Sequence, residues 1–527
     1  MSLLKHLQAK NLSMKKLLFT AIVITIVNSL YAQEPADALR YSWYVPGGSA
    51  RVKAIGGAMG SLGGDITATF VNPAGLAFYK TGDFIFSPAY KFGKTNASYL
   101  GRTEQDKNKR FVWGTTGFVL GGGDGKGNVR NAAFSIAYNR TADFNSSILY
   151  RGQNNQSSYS QKFLEEINKN NVKDGNALAS NYPFGSSLAF NTYWIDTVGG
   201  GTNGNFQFQS RSANILSTGL LQQNSVTTHG GIDEFALGVA VNLRDKLMLG
   251  GSFGVPVLHY KREGEFLEAD ATTNPNNHFN YAMFNETLTT SGVGLNLKAG
   301  LIYKPAEFWR IGLAFHSPSL YTLTDSYEAS ITADVENGQP STDYSKDYTN
   351  NEPSQFKYTY VTPYKVIGSI SYVIREIEDV TKQRGFLTAD VEYVNYKASS
   401  FSTDNGTSAD ESTKNYLKQL NNAIDNAYKG AFNLRVGGEL KFTTLMVRLG
   451  GAYYGNPYKN IHGEKGSKLD LSGGLGYRNK GFFVDLTYIY GINKDVNYAY
   501  RLANAPYFGA NLKNMASNVL LTIGFKI

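Results

Sequence analysis

Large apolar residues alternate with small or polar residues along most of the chain after residue 83. In residues 235–243 (FALGVAVNL) every second position is bulky and apolar, and the alternation resumes at Leu247 after a polar turn at 244–246. The same pattern recurs at 293–315, 432–453 and 469–490. Alternation with period two on both sides of a tight polar turn predicts an antiparallel hairpin. The chain is therefore predicted to be an all-β protein built from hairpins.

This rule predicts about fourteen strands. They lie near residues 83–92, 109–120, 130–141, 232–243, 247–260, 290–303, 308–330, 356–374, 385–397, 430–442, 445–455, 468–478, 481–492 and 515–527. Short connections follow the even-numbered strands and longer ones follow the odd-numbered strands, the longest being a predicted loop at 142–231. This layout is typical of a transmembrane antiparallel β-barrel of the bacterial outer membrane, with both chain ends on the periplasmic side.

A soluble β-sandwich is the competing architecture, because its strands also alternate. A sandwich, however, has no reason to sort its loops by length or to place aromatic residues beside its turns. Here aromatic residues of the apolar parity flank the short turns, as the interfacial girdle of a barrel requires. They are Tyr303, Trp309, Phe442, Tyr477 and Phe482. A 14-stranded antiparallel transmembrane β-barrel is favoured, spanning residues 81–527.

Residues 1–32 resemble a cleaved signal peptide. Lys15 and Lys16 precede an apolar run at 17–27, and small residues lead to a plausible cleavage site before Gln33. The run is too short to span a bilayer comfortably. The true start is Met1 or Met14, and in either case the protein is predicted to be exported.

Composition excludes several classes of protein. The chain has no cysteine, and its 51 basic and 42 acidic residues give a net charge of +9, which falls to +5 without the four lysines of residues 1–32. That excess is too small to indicate nucleic-acid binding. The mean hydropathy of −0.29 argues against a bundle of transmembrane helices.

The sequence contains few motifs that would indicate an enzyme. The six histidines form no close-spaced metal or base motif, so no catalytic residue, metal or cofactor is expected. The glycine-rich residues 121–128 (GGGDGKGN) lack a Ser or Thr after Gly-Lys and read as a turn. A Ser/His/acid set of a barrel lipase is not excluded by spacing alone.

Several segments carry a resemblance to one family. Residues 51–79 (RVKAIGGAMGSLGGDITATFVNPAGLAFY) include the element Asn72-Pro73-Ala74-Gly75. Further matching segments are 296–318, 385–396, 434–457 and 471–491. Together they resemble the FadL/TodX family of outer-membrane transporters for hydrophobic compounds. Residues 142–231 and 402–429 depart from that family.

The resemblance implies a monomeric barrel whose N-terminal segment, residues 33–80, folds inside the lumen as a hatch. Long-chain fatty acids or other hydrophobic small molecules would be captured outside and leave sideways through the wall. A fourteen-stranded barrel is also too wide for its own wall side chains to fill. The spacing of Val52, Ile55, Met59 and Leu62 favours a packed helical piece over a flexible periplasmic tail.

Barrel parity predicts which charges face the lumen. If Leu434 and Val436 face lipid, Arg435 points inward, and pairing across the turn at 443–444 places Glu439 opposite Arg448. The predicted inward charges are Arg435, Arg448, Glu439, Asp390, Glu392, Arg310 and Lys298, together with Lys441, Asp470 and Asp485. They could form a polar network that wedges the hatch, or Arg435 or Arg448 could receive a ligand carboxylate. The network is favoured for most of them.

Prolines within strand-like runs predict weak points in the wall, because proline cannot donate to the ladder. Pro88 and Pro256 are possible breaks beside a lateral exit, whose position the sequence leaves unresolved. Pro318 and Pro363 fit strand ends better.

A role as an accessory subunit of a protein-export or assembly complex is the alternative function, since some FadL-like barrels serve there. Protein partners would bind the predicted loops 142–231 and 398–429, where residues 416–428 have the apolar spacing of a docking helix or a lid. A transporter predicts an apolar pocket below these loops, whereas a subunit predicts a collapsed one. Outer-membrane lipid and lipopolysaccharide would surround either barrel. His259 and His316 are candidate haem ligands by analogy with related haemin receptors, although a lone histidine is usually polar surface.

Overall fold

The computed structural model describes residues 34–43, 47–198, 206–272, 274–374, 384–404, 410–459 and 466–527. The predicted signal peptide and residue 33 lie outside these ranges. Within them, no helix is long and apolar enough to cross a membrane.

Fourteen antiparallel strands form a closed barrel, which confirms the predicted fold class and strand number. The last strand pairs with the first through Phe84 opposite Phe525, so no edge remains open at the end where the short turns lie. We call this the short-turn end, and the opposite end the long-loop end. The strands are β1 (Asp83–Phe86 and Pro88–Tyr99), β2 (Arg102–Trp113 and Thr116–Gly122), β3 (Val129–Asp143 and Ser146–Asn154), β4 (Leu220–Leu243), β5 (Leu247–Asp270), β6 (Tyr281–Tyr303), β7 (Trp309–His316 and Leu320–Asp334), β8 (Ser354–Val361 and Lys365–Ile374), β9 (Gly385–Asn395 and Ser400–Thr403), β10 (Gly430–Phe442), β11 (Leu445–Tyr454), β12 (Ser467–Asn479), β13 (Phe482–Tyr498) and β14 (Gly509–Lys526).

The outer surface of the barrel is apolar. All five aromatic residues predicted to form the girdle are exposed, from 37% for Phe482 to 59% for Phe442. Leu434 and Val436 are exposed at 48% and 56%, while Arg435 between them is buried. The alternation in sequence therefore separates a lipid-facing surface from a polar lumen, as expected for a membrane-spanning barrel.

The wall extends further at the long-loop end than the sequence predicts. Strands β4, β5 and β6 are nine to twelve residues longer there, in segments where polar side chains interrupt the apolar alternation. The predicted loop 142–231 is accordingly wrong at both ends, since β3 continues to Asn154 and β4 begins at Leu220. The predicted loop 398–429 contains the end of β9 and a helix.

The helices lie inside the barrel or cap its long-loop end. They are α1 (Pro35–Ser42), α2 (Ala50–Ala54) and α3 (Ala68–Val71) in the hatch, α4 (Ser160–Lys169), α5 (Gly175–Asn181) and α6 (Ser186–Asn191) between β3 and β4, and α7 (Glu411–Ala427) between β9 and β10. A 3₁₀ helix, Pro73–Phe78, completes the hatch.

Residues 47–79 of the hatch pack inside the short-turn half of the barrel. Val52, Ile55, Met59 and Leu62 are all buried in one apolar cluster with inward-facing wall residues. They do not lie on one helix, because α2 ends at Ala54 and positive φ angles at Gly56 (70°) and Gly57 (81°) turn the chain there. The predicted packing is therefore present, but the predicted helical piece covers only residues 50–54.

The helix α1 lies further up the lumen, beneath α7. The Tyr41 hydroxyl donates to Thr290 Oγ1 on β6 (3.1 Å), and the Tyr428 hydroxyl donates to the Pro35 carbonyl (2.9 Å). Leu417, Leu420 and Ile424 form the buried face of α7, as the spacing of residues 416–428 predicts. The hatch thus touches the wall below and the cap above.

Replacing Val436 by arginine tests the lipid-facing assignment. Val436 lies on the outer face six residues above the girdle residue Phe442, so the variant should lower the free energy of unfolding by about 2–4 kcal/mol. The free energy is measured by guanidinium titration after refolding into phospholipid vesicles. Thr444→Arg, in the turn at the membrane edge, is the control and should cost less than about 1 kcal/mol. Equal losses for both variants would contradict the assignment.

Candidate functional site

A carboxylate of the wall holds the backbone of the hatch. The Asp390 carboxylate accepts hydrogen bonds from the backbone N–H groups of Met59 and Gly60, both at 3.0 Å, and from the Ser369 hydroxyl at 2.5 Å. Asp390 is 1% exposed and lies opposite Arg435 in the ladder between β9 and β10. A buried carboxylate with several donors is well satisfied, so this contact fixes the turn after α2.

Arg448 lies between two carboxylates of the wall. Its guanidinium contacts Glu439 and Asp485, both at 2.5 Å, and its side chain is fully buried. Glu439 is the ladder partner of Arg448, as predicted from the parity of the strands. From the hatch, Arg51 lies 3.5 Å from the same Glu439 carboxylate. This ion cluster therefore joins three strands to the hatch.

Four of the other predicted inward charges also have partners within the lumen. Arg435 forms an ion pair with Glu392 at 2.7 Å, and Glu392 accepts a hydrogen bond from Asn433 at 2.7 Å. The Lys298 ammonium contacts Glu234. The Arg310 guanidinium lies 4.6 Å from the ring centroid of Phe78 in the hatch.

The Asn72-Pro73-Ala74-Gly75 element is fixed by close backbone contacts. Asn72 donates to the carbonyls of Gly60 (2.6 Å) and Leu301 (3.2 Å), and its side-chain oxygen accepts from the Ala74 N–H (3.1 Å). A Cβ at Gly300 of the wall would lie 1.9 Å from the Asn72 side-chain oxygen, so only glycine allows this approach.

The two histidines considered as haem ligands face opposite sides of the barrel wall. His316 Nε2 is 2.8 Å from the Val71 carbonyl of the hatch, whereas His259 lies on the opposite, outward parity of β5. In the described ranges, no group of three or more His, Asp or Glu residues could hold a metal ion.

A cavity of about 270 Å³ lies above the hatch, between the first residues of α1, the cap helices and the wall. Aromatic rings line one part of it and charged groups another. The lining residues are Glu34, Tyr159, Lys162, Phe163, Glu166, Tyr182, Phe184, Gly185, Arg262, Phe284, Glu286, Asp325, Tyr327, Ser354 and Phe356.

The charged part of the cavity contains both signs. Arg262 pairs with Glu286 at 3.1 Å, and the Tyr327 hydroxyl donates to the same carboxylate at 2.9 Å. Burial alone would raise the pKa of the Glu34 carboxyl at the start of the hatch. The nearby cations Arg262 and Lys162 have the stronger combined effect, so this pKa is lowered. The cavity is therefore amphipathic, with ionised groups beside an aromatic surface.

None of these cavity residues was among the predicted site residues. Arg262 and Glu286 lie on the parts of β5 and β6 beyond the predicted strand limits of 260 and 290. Extending the inward parity from Tyr260 to Arg262 would have identified one side of the cavity. Tyr159, Lys162 and their neighbours lie in a folded cap that has no periodic signal of this kind.

The barrel wall has a seam between β2 and β3. Three neighbouring strands are interrupted beside it: β1 at Ser87 and β2 at 114–115, which lie at one level, and β3 at 144–145, further toward the long-loop end. Above this level, Arg102–Trp113 of β2 pairs only with β1, and Ser146–Asn154 of β3 pairs only with β4. Among the described residues no backbone ladder joins these two segments.

Side chains close the seam instead of backbone hydrogen bonds. Arg110 of β2 contacts Asp143 of β3 at 2.8 Å, and Lys91 contacts the same carboxylate at 2.7 Å. Further up, Glu104 pairs with Arg151 at 2.7 Å. Ion pairs at partly exposed positions such as these separate far more easily than a continuous ladder.

The hatch reaches the lower end of the seam. A Cβ at Gly47 would lie 2.2 Å from the Asn139 side-chain oxygen, and one at Gly114 would lie 3.0 Å from the Gly48 carbonyl. Residues 47–48 therefore lie directly behind the level at which the strands are interrupted.

The four prolines fall at irregular points of the wall. Pro88 begins the second segment of β1, opposite Trp113 of β2. Pro256 remains paired with Glu234 of β4, but the ladder to β6 passes from Gly254 to Val257 without it. Pro318 and Pro363 separate the two segments of β7 and of β8.

Comparisons with known proteins give the same fold. No family model and no curated protein matches the sequence. Among solved structures, a FadL homologue from Pseudomonas aeruginosa aligns over 92% of this chain and 99% of its own, with 13% identity and a TM-score of 0.53. The toluene transporter TodX from P. putida aligns over 92% and 99%, with 12% identity and a TM-score of 0.50. The chain thus has the FadL/TodX-type fold.

Replacing Arg448 by methionine tests the ion cluster. The variant leaves Glu439 and Asp485 buried without their shared cation, so it should cost about 3–5 kcal/mol. Because Arg51 of the hatch shares Glu439, amide hydrogen exchange should also become faster in residues 47–64. Arg151→Met removes an exposed ion pair and is the control, with an expected cost below about 1 kcal/mol. Unchanged exchange of the hatch in Arg448→Met would contradict a link between the cluster and the hatch.

Proposed function

We propose that this protein is an outer-membrane channel through which hydrophobic or amphipathic small molecules pass from the cavity above the hatch to a lateral exit at the seam. The observation that carries the proposal is the seam, because it is a defect in the wall closed only by side chains and backed by the hatch. The predicted signal peptide and the apolar barrel surface support an outer-membrane location. The FadL homologue and the toluene transporter TodX share this fold.

The cavity supports a ligand with an apolar body and a polar or charged end. Phe163, Phe184 and Phe356 provide the aromatic surface, and Lys162 and Arg262 provide cations beside it. A long-chain fatty acid has both parts, and it is the substrate that we propose. A purely structural subunit predicts a collapsed pocket, whereas this cavity has a volume of about 270 Å³.

The inward charges of the lower lumen hold the hatch in this proposal. Arg435 and Arg448 are each 1% exposed and already face carboxylates of the wall. A ligand carboxylate would have to displace a buried protein carboxylate, which would then lose its partner. Lys162 lines the cavity and forms no ion pair within the described part of the chain, so it is better placed to receive the ligand carboxylate.

Locking the seam tests the exit. We expect that Arg110→Cys/Asp143→Cys, joined by a short bismaleimide, slows the transfer of a fluorescent long-chain fatty acid into proteoliposomes at least tenfold. The chain has no native cysteine, so the reagent joins only the introduced pair. The unjoined double variant should transport at least as fast as the parent protein.

A crosslink between laddered strands is the matched control. Thr227→Cys/Glu263→Cys joins opposite residues of β4 and β5 in the same half of the barrel, where a ladder already exists. It should leave transfer unchanged. Unchanged transfer through the locked seam would overturn the lateral exit.

Two cavity variants separate the apolar body from the charged end of the ligand. Phe184→Ala should weaken binding of both a fatty acid and its uncharged alcohol by about fivefold, because apolar contact area is lost. Lys162→Gln should weaken binding of the acid alone. Fluorescence titration in detergent measures both affinities. Equal affinities of the parent protein and Phe184→Ala for both compounds would place the binding site elsewhere.

A further inference from the structure

Five lysines cluster on the outer surface of four adjacent strands at the long-loop end. Lys94 of β1 lies directly opposite Lys107 of β2, and Lys494 of β13 lies directly opposite Lys513 of β14. Lys109 follows on β2, opposite Phe92. The strands run in the order β13, β14, β1, β2, so the two lysine pairs belong to one continuous surface, the lysine patch.

Charges in this part of the wall are sorted by face. In residues 102–110 (RTEQDKNKR), Glu104, Asp106 and Arg110 share the inward parity and contact β3 across the seam. The outward parity of the same segment carries Thr103, Gln105, Lys107 and Lys109. On all four strands, the outward positions around the patch carry no carboxylate. These positions are 94, 96 and 98 on β1, 103, 105, 107 and 109 on β2, 494 and 496 on β13, and 511 and 513 on β14. In the part of the chain that the structure describes, no lysine of the patch forms an ion pair.

Such an arrangement is unfavourable in the protein alone. Like charges directly opposite each other on neighbouring strands destabilise a sheet, and this surface has two such pairs side by side. The inward side of the same strands shows that acids are available to pair with bases. An anion supplied from outside the chain would offset the repulsion.

The height of the patch above the membrane indicates the source of that anion. Directly below it on the same outward parity lie Tyr90, Phe92, Phe111 and Tyr488, which are 39–52% exposed. Aromatic residues of this kind mark the interface between the hydrocarbon core and the head groups. The lysines therefore project at the level of lipid head groups, where cationic side chains attract anionic lipids.

We infer that the lysine patch binds the phosphate groups of a phosphorylated glycolipid in the outer leaflet. This inference goes beyond transport and rests only on the proposed outer-membrane location. Neighbouring strands are about 4.8 Å apart and the two lysine pairs are two strands apart and offset by two residues, so their centres are separated by about 12 Å along the wall. A disaccharide head group with a phosphate at each end matches two separated cationic pairs better than a single phosphate does. The bound lipid would cover the outer face of the β1–β2 hairpin, whose far edge forms the seam.

Native mass spectrometry of the detergent-purified protein tests the site with diphosphorylated lipid A as the probe. The parent protein should retain the lipid, and Lys94→Gln/Lys107→Gln/Lys494→Gln/Lys513→Gln should bind it at least tenfold more weakly. The control Lys80→Gln/Lys126→Gln/Lys246→Gln/Lys480→Gln makes the same charge change at exposed lysines of the short-turn end and should bind like the parent. Heat-dependent gel mobility checks that each barrel is folded.

Three further probes distinguish the source of the phosphate. Dephosphorylated lipid A should bind at least tenfold more weakly than the diphosphorylated form. Equal binding of phosphatidylglycerol, or full competition by inorganic phosphate at the same concentration, would overturn the assignment to a phosphorylated glycolipid. Equal lipid binding by the parent and the quadruple patch variant would overturn the site. Because no transported compound is used, these outcomes are independent of the fatty-acid transfer measurements.

Discussion

Backbone hydrogen bonding in lipid is the constraint on which this structure depends. Hydrocarbon offers no partner for an unpaired N–H or C=O group, so the wall must close on itself, and β14 pairs with β1. A closed ring of fourteen strands is too wide for its own side chains to fill. The hatch fills the space that this width leaves in the lumen, and the wall needs glycine where the hatch approaches it closely. A Cβ at Gly300 would collide with Asn72, and one at Gly450 would collide with the backbone of Ile55 and Gly56. At the seam, near the aromatic residues of the outer interface, the ladder between β2 and β3 is missing, and ion pairs and residues 47–48 of the hatch lie in its place.

The same constraint governs where charge is placed. Inward charges could not face the lumen alone, because a buried ion without a partner is costly. Arg448 therefore lies between Glu439 and Asp485, and Asp390 accepts the hatch amides. Near the outer interface the balance changes, because lipid head groups can act as partners. The unpaired lysines at that level and the ion-paired Arg435 and Arg448 below them are thus two solutions to one electrostatic problem.

Much of the fold could be predicted from the sequence, because period-two alternation and turn chemistry are local signals. The parity of β10 and β11 was sufficient to place Arg435 inward and to set Glu439 opposite Arg448. The limits of the strands at the long-loop end could not be predicted in this way. Above the membrane both faces of a strand are polar, so the alternation that marks β5 as far as Tyr260 fades although the strand continues to Asp270. The cavity was missed for that reason, since Arg262 and Glu286 lie in the faded part.

The hatch shows a different limit of local patterns. The apolar spacing from Val52 to Leu62 predicted a helix, and the same four side chains are indeed buried, but on a turn-rich segment. Burial inside a barrel is imposed from all sides, so an apolar residue need not share a helical face with the next one. Short helices and glycine turns let the chain place carbonyls and N–H groups against successive strands, as Asn72 and Gly60 do. A segment held by many short contacts of this kind can seal the lumen, whereas residues 47–48, next to the seam, pack closely against the wall without a hydrogen bond to it among the described residues. That division between a plug held by hydrogen bonds and an edge held by packing alone is the feature a lateral exit requires.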